Sequence, residues 1–338
     1  MKKNKKEKNI VTVLGAGNMG TAISQVLADN GNIVNIWNWE GDIEPLKQIE
    51  KHHENKNYLK GVKLSENIIV KYSIEEALLD SSFVFLAIPS GVLEHTIAFA
   101  ARNIKNRAIV IDLSKGIDTK SLQITSFIIA KHLRSNLKKN VVTISGPAIA
   151  SQMVNKNFTA MNIASKNNNA IKKVRSIMEN EYIKLVPTHD VIGVDVGGSF
   201  KNVYSIAIGM CEGLGYGLNT KAALITYAIK EIADITKAMG GKRRTAYDLA
   251  GLGDLIGTSL CEDSRNHRFG KYLGQGMPAL KAKEKVGQTI EGIDAVECLI
   301  RLVKKYDLGT PFANTIYHCI VSKHDPRRAF ENLLRNIL

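Results

Sequence analysis

Short apolar runs alternate with amphipathic stretches through the first half of the chain. Six runs rich in β-branched residues and bounded by turn residues predict strands: 10–14, 33–37, 83–88, 108–113, 141–144 and 183–186. Amphipathic stretches such as 21–29 and 121–133 lie between several of these runs. This alternation is typical of parallel strands joined by crossover helices. The first half is therefore predicted to be a doubly wound α/β sheet.

The pattern changes near residue 190, where long helical periodicities replace the short runs. A chain of 338 residues also exceeds the size at which one hydrophobic core usually serves a whole protein. We therefore predict a basic tail at 1–9, an N-terminal domain at 10–190 and a mostly α-helical second domain at 191–338.

A glycine motif follows the first predicted strand. Gly15-Ala16-Gly17-Asn18-Met19-Gly20 fits G-x-G-x-x-G and leads into a helical stretch, with a second strand ending about 20 residues later. The three glycines permit a tight turn, approach of a pyrophosphate and close packing of helix on strand, while the helix N-terminus attracts phosphate. The motif predicts that the Rossmann-like sheet binds a dinucleotide.

The residues after the second strand bear on which dinucleotide binds. An acidic side chain there hydrogen-bonds the ribose of NAD, whereas arginine favours the 2′-phosphate of NADP. Trp39 and Glu40 follow that strand, with Trp39 able to stack on the adenine. The choice between NAD and NADP stays open at this point.

A second glycine-marked segment places a lysine on a helix that otherwise looks buried. Apolar residues recur at helical spacing over 194–211, and Gly197, Gly198 and Ser205 share the stripe that carries Lys201. Glycine inside a helix costs about 1 kcal/mol relative to alanine, so the pair indicates a packing or functional need. One interpretation is that a flat ligand lies on this stripe beside the ammonium group. The other is that the glycines permit helix packing and Lys201 reaches solvent.

Three further polar segments have the chemistry of an anion site. Lys115-Gly116 follows the fourth predicted strand, Gly251 to Asp254 forms a predicted turn, and Ser264-Arg265-Asn266 comes soon after it. Arginine donates two parallel hydrogen bonds to a phosphate, and asparagine adds a neutral donor. Each has a plainer interpretation: a surface lysine, a helix cap and an ion-pair partner.

Composition narrows the choice of partners only modestly. The net charge of +14 permits nucleic-acid binding, but the lysines are mostly scattered and form no stripe, so we predict no nucleic-acid partner. No apolar run approaches the roughly 20 residues of a membrane span. The four cysteines are far apart and the histidines lack metal-ligand spacing, which predicts no metal site and fits a reducing cytoplasm.

Taken together, the motifs resemble those of the NAD(P)-dependent glycerol-3-phosphate dehydrogenases, particularly the bacterial type. The likeness extends from Ile10 to about Arg328. It depends on nine segments in the family's order: 15–17, 87–90, 114–116, 145–147, 197–202, 219–225, 249–254, 264–266 and 291–292. The resemblance implies a cytoplasmic homodimer that reduces dihydroxyacetone phosphate reversibly to sn-glycerol 3-phosphate with NADH or NADPH, for phospholipid synthesis.

The resemblance also implies roles for individual residues. Lys201 matches the catalytic lysine. The implied substrate contacts are Lys115, Gly146, Ala148, Lys201, Asp254, Ser264, Arg265 and Asn266. The implied cofactor contacts are Gly15, Gly17, Asn18, Met19, Gly20, Trp39, Lys115, Ala150, Arg265, Thr289 and Glu291.

The chain departs from the family pattern at three places. Asn18-Met19 replaces serine and an aromatic residue, Ala148 replaces a common serine, and Trp39 stands where arginine is frequent. Two other functions remain as alternatives: a related two-domain reductase or dehydrogenase of a 2-keto or 3-hydroxy acid, and a non-catalytic nucleotide sensor. The first would need a carboxylate site in place of a phosphate site.

Overall fold

A computed structural model describes residues 9–262, 264–322 and 324–337 of the chain. The predicted basic tail at 1–9 lies outside these residues except for Asn9. The described chain divides into two compact units. The first, called the sheet unit, contains residues 9–114, 125–144 and 148–191; the second, called the helical unit, contains residues 115–124, 145–147 and 192–337 without the gaps.

Eight strands are found among the described residues, and they form one sheet. They are β1 (Ile10–Leu14), β2 (Ile33–Trp37), β3 (Ile68–Val70), β4 (Phe83–Leu86), β5 (Ile109–Asp112), β6 (Val141–Ser145), β7 (Thr159–Ala164) and β8 (Ile183–Thr188). Their order is β3-β2-β1-β4-β5-β6-β7-β8, with β1 parallel to both β2 and β4. The direction of the connections therefore reverses between β1 and β4, where doubly wound sheets bind nucleotides.

Helices connect most of these strands, as the amphipathic stretches predicted. They are α1 (Asn18–Asp29), α2 (Glu44–His52), α3 (Ile74–Leu78), α4 (Ser90–Ala100), α5 (Thr125–His132), α6 (Ser135–Lys138), α7 (Ala150–Val154) and α8 (Asn168–Met178), with a 3-10 turn at Glu40–Asp42. Residues of β1, β4 and β5 are buried on both faces, which explains their continuous apolar runs.

The helical unit contains nine further helices among the described residues. They are α9 (Val191–Gly213), α10 (Leu218–Ala238), α11 (Arg243–Ala246), α12 (Asp254–Ser259), α13 (Arg265–Gly274), α14 (Ala279–Val286), α15 (Glu291–Lys305), α16 (Pro311–Ile320) and α17 (Pro326–Ile337), with a π-helical turn at Leu249–Gly253. Helix α9 is buried from Gly193 to Cys211. It is therefore the central element of this unit, and its neighbours pack around it.

The sequence did not predict β3 and β7. Strand β3 is β-branched throughout but has only three residues, and β7 includes Asn162 and three alanines or methionines, so it does not resemble a β-branched run. The helix predicted from residue 121 begins at Thr125, because Ile124 bridges to Ile117 instead. The turn predicted at 251–254 is helical, since the π-helical turn continues directly into α12.

Two short segments from the first half of the chain belong to the helical unit. Residues 115–124 carry Ile117 and Ile124, which are buried in the core formed around α9. Cys298 and Arg301 of α15 donate hydrogen bonds to backbone carbonyls of this segment. The predicted boundary at 190 therefore omits two pieces that fold with the second unit.

No described helix has the length and apolar character needed to cross a membrane.

Candidate active site

The side chains of Lys115 and Lys201 share one carboxylate. Helix α9 places Lys201 where the residue is only 7% exposed, and Asp254, the first residue of α12, is 2% exposed. The Lys201 ammonium donates to Asp254 Oδ1, and the Lys115 ammonium donates to Asp254 Oδ2 at 2.6 Å. The carboxylate thus compensates two cations, and the cluster keeps a net positive charge that suits an anionic ligand.

A threonine completes the surroundings of the Lys201 ammonium. Lys201 Nζ donates to Thr258 Oγ1 at 2.7 Å, and that hydroxyl lies 3.3 Å from Asp254 Oδ1. Thr258 follows Asp254 by four residues, so both side chains lie on one face of α12. Sequence reasoning missed Thr258, although this spacing was the available signal.

Burial dominates the acid–base behaviour of Lys201. It lowers the pKa of the ammonium from 10.5 to about 8, the attraction of Asp254 opposes that change, and the neighbouring Lys115 reinforces it. An amine with this pKa gives up a proton far more readily than an exposed lysine. Lys201 is therefore protonated at neutral pH and still a usable acid.

The glycines beside Lys201 contact other parts of the protein, which favours the packing interpretation of this stripe. A Cβ on Gly198 would overlap the side chain of Ser145, and a Cβ on Gly197 would lie 3.0 Å from the carbonyl oxygen of Ala250. The glycines serve close packing, as the other interpretation held. However, Lys201 does not extend to solvent, because Asp254 and Thr258 hold its ammonium inside.

The segment that contains Lys115 is attached to α9 by hydrogen bonds. The Gly116 N–H donates to Ser199 Oγ at 3.0 Å, and Ser199 in turn donates to the carbonyl of Asp195 at 2.6 Å. Lys115 Nζ also donates to the carbonyl of Gly146 at 3.4 Å. Lys115 is accordingly not a free surface lysine, and it lies on the same side of α9 as Lys201.

The predicted phosphate pair lies at the start of α13, beside the residue that follows Lys201. Ser264 caps this helix by accepting from the His267 N–H at 3.3 Å. Asn266 Nδ2 donates to Asn202 Oδ1 at 3.1 Å, and Asn202 Nδ2 donates to Glu291 Oε2 at 2.8 Å. Arg265 Nη2 lies 3.9 Å from Glu291 Oε1, with about a third of its side chain exposed. The arginine therefore retains donors for an anion.

Asn202 connects this group and was not identified from the sequence. It bonds to both Asn266 and Glu291, and the Gly292 N–H donates to Asn266 Oδ1 at 2.9 Å. Its position directly after Lys201 was the signal that pointed to it. Thr289, another predicted cofactor contact, is exposed in the loop before α15.

The glycine turn of the sheet unit fits the phosphates of a dinucleotide. Gly15 has φ +110°, and a Cβ there would overlap the Ala87 carbonyl, so β1 and the segment after β4 are in close contact. A Cβ on Gly20 would overlap the carbonyl of Gly15. In contrast, a Cβ on Gly17 would meet nothing within 4 Å. Backbone atoms therefore fill the space beside Gly15 and Gly20, whereas the space beside Gly17 is free of them. Helix α1 begins at this point, and no side chain caps its first N–H groups.

The end of β2 lies beside this turn. Asn38 accepts from the Ala16 N–H at 3.2 Å and donates to Asp42 Oδ2 at 3.1 Å. The Trp39 side chain is 62% exposed, and its ring covers Gly41, where a Cβ would overlap it. An exposed aromatic ring and a carboxylate therefore occupy the region that faces the ribose in such folds.

The remaining predicted contacts in the sheet unit have simple positions. Asn18 is exposed at the first residue of α1, and Met19 is partly buried against the sheet core. Ala148 packs partly against the same core, and Ala150 is the first residue of α7. None of these side chains carries a charge, so their contribution to binding would be shape and backbone donors.

Comparison with known proteins places the chain in one family. Two family models match the chain: the N-terminus of NAD-dependent glycerol-3-phosphate dehydrogenase over residues 10–171, and its C-terminus over residues 190–331. Glycerol-3-phosphate dehydrogenase (NAD(P)+) of Bacillus subtilis is 36% identical over 324 residues, which are 96% of this chain and 93% of the relative. The Clostridium botulinum enzyme of the same name is 35% identical over 324 residues, 96% of each chain.

Solved structures lead to the same group. The crystal structure of glycerol-3-phosphate dehydrogenase from Coxiella burnetii matches with a TM-score of 0.91 and 29% identity, covering 97% of this chain and 99% of the other. D-mandelate dehydrogenase, at 16% identity and a TM-score of 0.59, shares the fold alone. On the matches of both family models and of these relatives, the chain belongs to the NAD-dependent glycerol-3-phosphate dehydrogenase family.

Proposed function

We propose that this protein reduces dihydroxyacetone phosphate to sn-glycerol 3-phosphate with NADH or NADPH, reversibly, and that it supplies phospholipid synthesis. The observation that carries the proposal is the buried Lys201 ammonium held by Asp254 and Thr258. A ketone reduction needs a hydride at carbon and a proton at oxygen. When bound, the reduced nicotinamide supplies the hydride.

Lys201 is proposed to supply the proton. Its ammonium donates to the carbonyl oxygen as that oxygen gains negative charge, and the neutral amine takes the proton back in the oxidation direction. Asp254 keeps the ammonium aimed and opposes the effect of burial on its pKa. General acid catalysis of this kind contributes about 10²–10⁴-fold to the rate.

The phosphate of the substrate is proposed to bind at Arg265 and Asn266. The guanidinium presents a planar pair of donors, and the N-terminus of α13 adds its positive dipole end. The positive charge left over at Lys115 and Lys201 attracts the same anion. Binding energy from the phosphate then positions the carbonyl for reaction.

The direct test mixes the purified protein with dihydroxyacetone phosphate and each reduced nicotinamide in turn. Loss of the near-ultraviolet absorbance of the reduced cofactor is the expected result. Pyruvate-like and ketopantoate-like acids are assayed in parallel, and faster turnover of these acids than of dihydroxyacetone phosphate would favour the related-reductase alternative.

Lys201→Ala should lower kcat by about 10²–10⁴-fold while the cofactor dissociation constant stays nearly unchanged. The control is Lys305→Ala, which removes an exposed lysine.

Two further properties belong to the proposal. The family resemblance supports a homodimer, which light scattering of the purified protein at several concentrations tests. It also supports a cytoplasmic location, which fractionation of the producing cells tests. A non-catalytic sensor would bind the nucleotide yet leave dihydroxyacetone phosphate unreduced.

A further inference from the structure

Helices α9 and α13 touch each other at four glycines. A Cβ on any of these glycines would lie within 3.0 Å of the opposite helix's backbone, a distance that real Cβ atoms essentially never show. The overlaps pair Gly209 with the carbonyl of His267, Gly213 with that of Lys271, Gly270 with that of Ile206, and Gly274 with that of Met210. The two backbones are therefore in direct contact over two helical turns.

The spacing of these glycines is reciprocal. Each helix carries two of them four residues apart, Gly209 and Gly213 on α9 and Gly270 and Gly274 on α13, so each pair lies on one face. Gly209 and Gly270 lie inside their helices, where each costs about 1 kcal/mol of helix stability relative to alanine. A different register would place ordinary side chains against backbone, so the contact allows one alignment of the two helices.

This alignment continues into the proposed substrate site. One turn before Gly270 on α13 stands Asn266, and its side chain donates to Asn202 of α9 at 3.1 Å. Asn202 is the neighbour of Lys201, and Asn266 is the neighbour of Arg265. The glycine contact and the asparagine pair thus lie along one helix–helix seam.

An ion pair also joins the two helices beside the glycines. Lys271 Nζ of α13 donates to Glu212 Oε1 of α9 at 2.7 Å, and Lys221 donates to the other oxygen at 2.9 Å. These donors lower the pKa of Glu212 to about 2, so its carboxylate is charged at any ordinary pH. The ion pair lies within the stretch that carries the glycines, and the asparagine pair lies before it.

We propose that Gly209, Gly213, Gly270 and Gly274, together called the glycine interlock, are positioning residues for the reaction. They hold Arg265 and Asn266 at a fixed distance from Lys201, and so set how far the groups that bind the phosphate lie from the group that donates the proton. This inference rests on the proposed function, because that function assigns the phosphate to Arg265 and Asn266.

The test compares Gly270→Ala with Gly309→Ala, whose added methyl group meets nothing within 4 Å. Both are assayed with dihydroxyacetone phosphate and with dihydroxyacetone, which lacks the phosphate. A displacement of about 1 Å costs on the order of 100-fold when it misplaces a reacting group. We expect kcat/KM for the phosphorylated substrate to fall by about that factor in Gly270→Ala, mainly through KM, and the value for dihydroxyacetone to change less than about twofold.

Gly213→Ala, at the end of the interlock away from Asn266, provides a second variant if Gly270→Ala does not fold. It should show the same split between the two substrates with a smaller factor. Gly309→Ala should match the unsubstituted protein with both. Equal losses on both substrates in a folded variant, or no loss on either, would overturn the proposal.

Amide hydrogen exchange at Gly292 gives a readout that needs no activity. The Gly292 N–H donates to Asn266 Oδ1 at 2.9 Å, so displacement of α13 should speed its exchange in both interlock variants. If the unsubstituted protein does not reduce dihydroxyacetone phosphate, the proposed function fails and this exchange decides the positioning claim. Unchanged exchange at Gly292 in folded variants refutes the claim under either result.

Discussion

At the scale of single residues, the decisive feature is one carboxylate between two ammonium groups. Asp254 accepts from Lys115 and Lys201 through different oxygens and is almost completely buried. Burying an unpaired ammonium group costs so much free energy that the lysine would lose its proton, and burying an unpaired carboxylate would be similarly unfavourable. The grouping keeps Lys201 charged yet acidic enough to give up its proton.

The pH dependence of turnover should report this balance. Reduction requires the ammonium form of Lys201, whose pKa in the free protein is about 8, so kcat/KM for reduction should fall as the pH rises through that value. Oxidation of glycerol 3-phosphate requires the neutral amine, so its kcat/KM should rise over the same range. Measuring kcat/KM in both directions between pH 6 and pH 10 checks the prediction.

Asp254→Asn provides the matched variant for this experiment. Asp254 raises the pKa of Lys201 by attraction and hydrogen bonding, so its neutral replacement should move the inflection to lower pH and reduce kcat. An inflection that stays in place in this variant would assign the titration to another group.

At the scale of secondary-structure elements, a buried carboxylate joins α9, α10 and α16. Glu231 of α10 accepts from the backbone N–H groups of Phe312 and Ala313 at 2.8 and 3.0 Å, and from the Tyr204 hydroxyl at 2.9 Å. It therefore caps the N-terminus of α16 from another helix. Burial is the largest influence and raises the pKa of Glu231 to about 7, while the three donors partly offset it.

The sign of this shift predicts how stability depends on pH. Because the folded pKa lies above the unfolded value of 4.5, Glu231 contributes stability that is complete below pH 4.5 and lost as the pH rises through about 7. The loss should be on the order of 1–3 kcal/mol. Glu231→Gln removes the titration, and its single amide oxygen replaces only one of the two oxygens that accept from the α16 amides, so the variant should be less stable overall. Urea denaturation at pH 5, 6, 7 and 8 should show a fall for the natural chain that the variant lacks.

The turn that follows β2 should influence whether NADH or NADPH binds more tightly. Trp39 is exposed there and Asp42 is held nearby by Asn38 and Tyr58, so this turn offers a carboxylate and an aromatic ring. Trp39→Arg adds a guanidinium where a 2′-phosphate would bind. We expect the dissociation constant of NADPH, divided by that of NADH, to fall by about tenfold. This corresponds to a binding free energy for NADPH that is more favourable by about 1.4 kcal/mol relative to NADH. Calorimetry with each cofactor measures it, and Trp39→Phe is the uncharged control.

At the scale of the whole molecule, the helical unit is assembled from three separate stretches of chain. The segment 115–124 provides Lys115, which donates to Asp254. The segment 145–147 provides the Gly146 carbonyl, which accepts from Lys115, and the Ser145 side chain, which packs against Gly198. The Asp254 carboxylate, which would otherwise pair with Lys201 alone, thereby gains Lys115 as a second lysine partner. The proposed site depends on these pieces although each is far in sequence from α9.

This assembly predicts that residues 192–338 do not form the unit alone. That fragment lacks Ile117 and Ile124, whose burial stabilises by about 1.5–3 kcal/mol each, and it leaves Asp254 with Lys201 as its one described lysine partner. We expect it to unfold at lower urea concentration than the full chain, or to remain unfolded. A fragment as stable as the full chain, measured by circular dichroism, would contradict the assignment of those segments.

Much of the architecture was predictable because periodicity is a local property. The six predicted strands and the long helix around Lys201 are present, since β-branched runs and helical apolar spacing act within one element. Strand β3 was missed because three residues are too short a run to indicate a strand, and β7 was missed because pairing within the sheet, and not its own composition, makes it a strand. The turn before Asp254 became helical for a similar reason, since its packing against α9 is decided by tertiary contacts.

What the chain's order of residues determined by itself was the type of fold and the kinds of group available: a glycine turn after a strand, a lysine on a buried helix, an Arg-Asn pair. Only the tertiary structure decided which groups pair. It joined Lys115 and Lys201 through Asp254, added Thr258 and Asn202, and filled the space at Gly197 and Gly198 with backbone and the Ser145 side chain. The physical reason is that periodic burial is encoded between neighbours along the chain, whereas the pairing of buried charges depends on which distant segments share a water-free space.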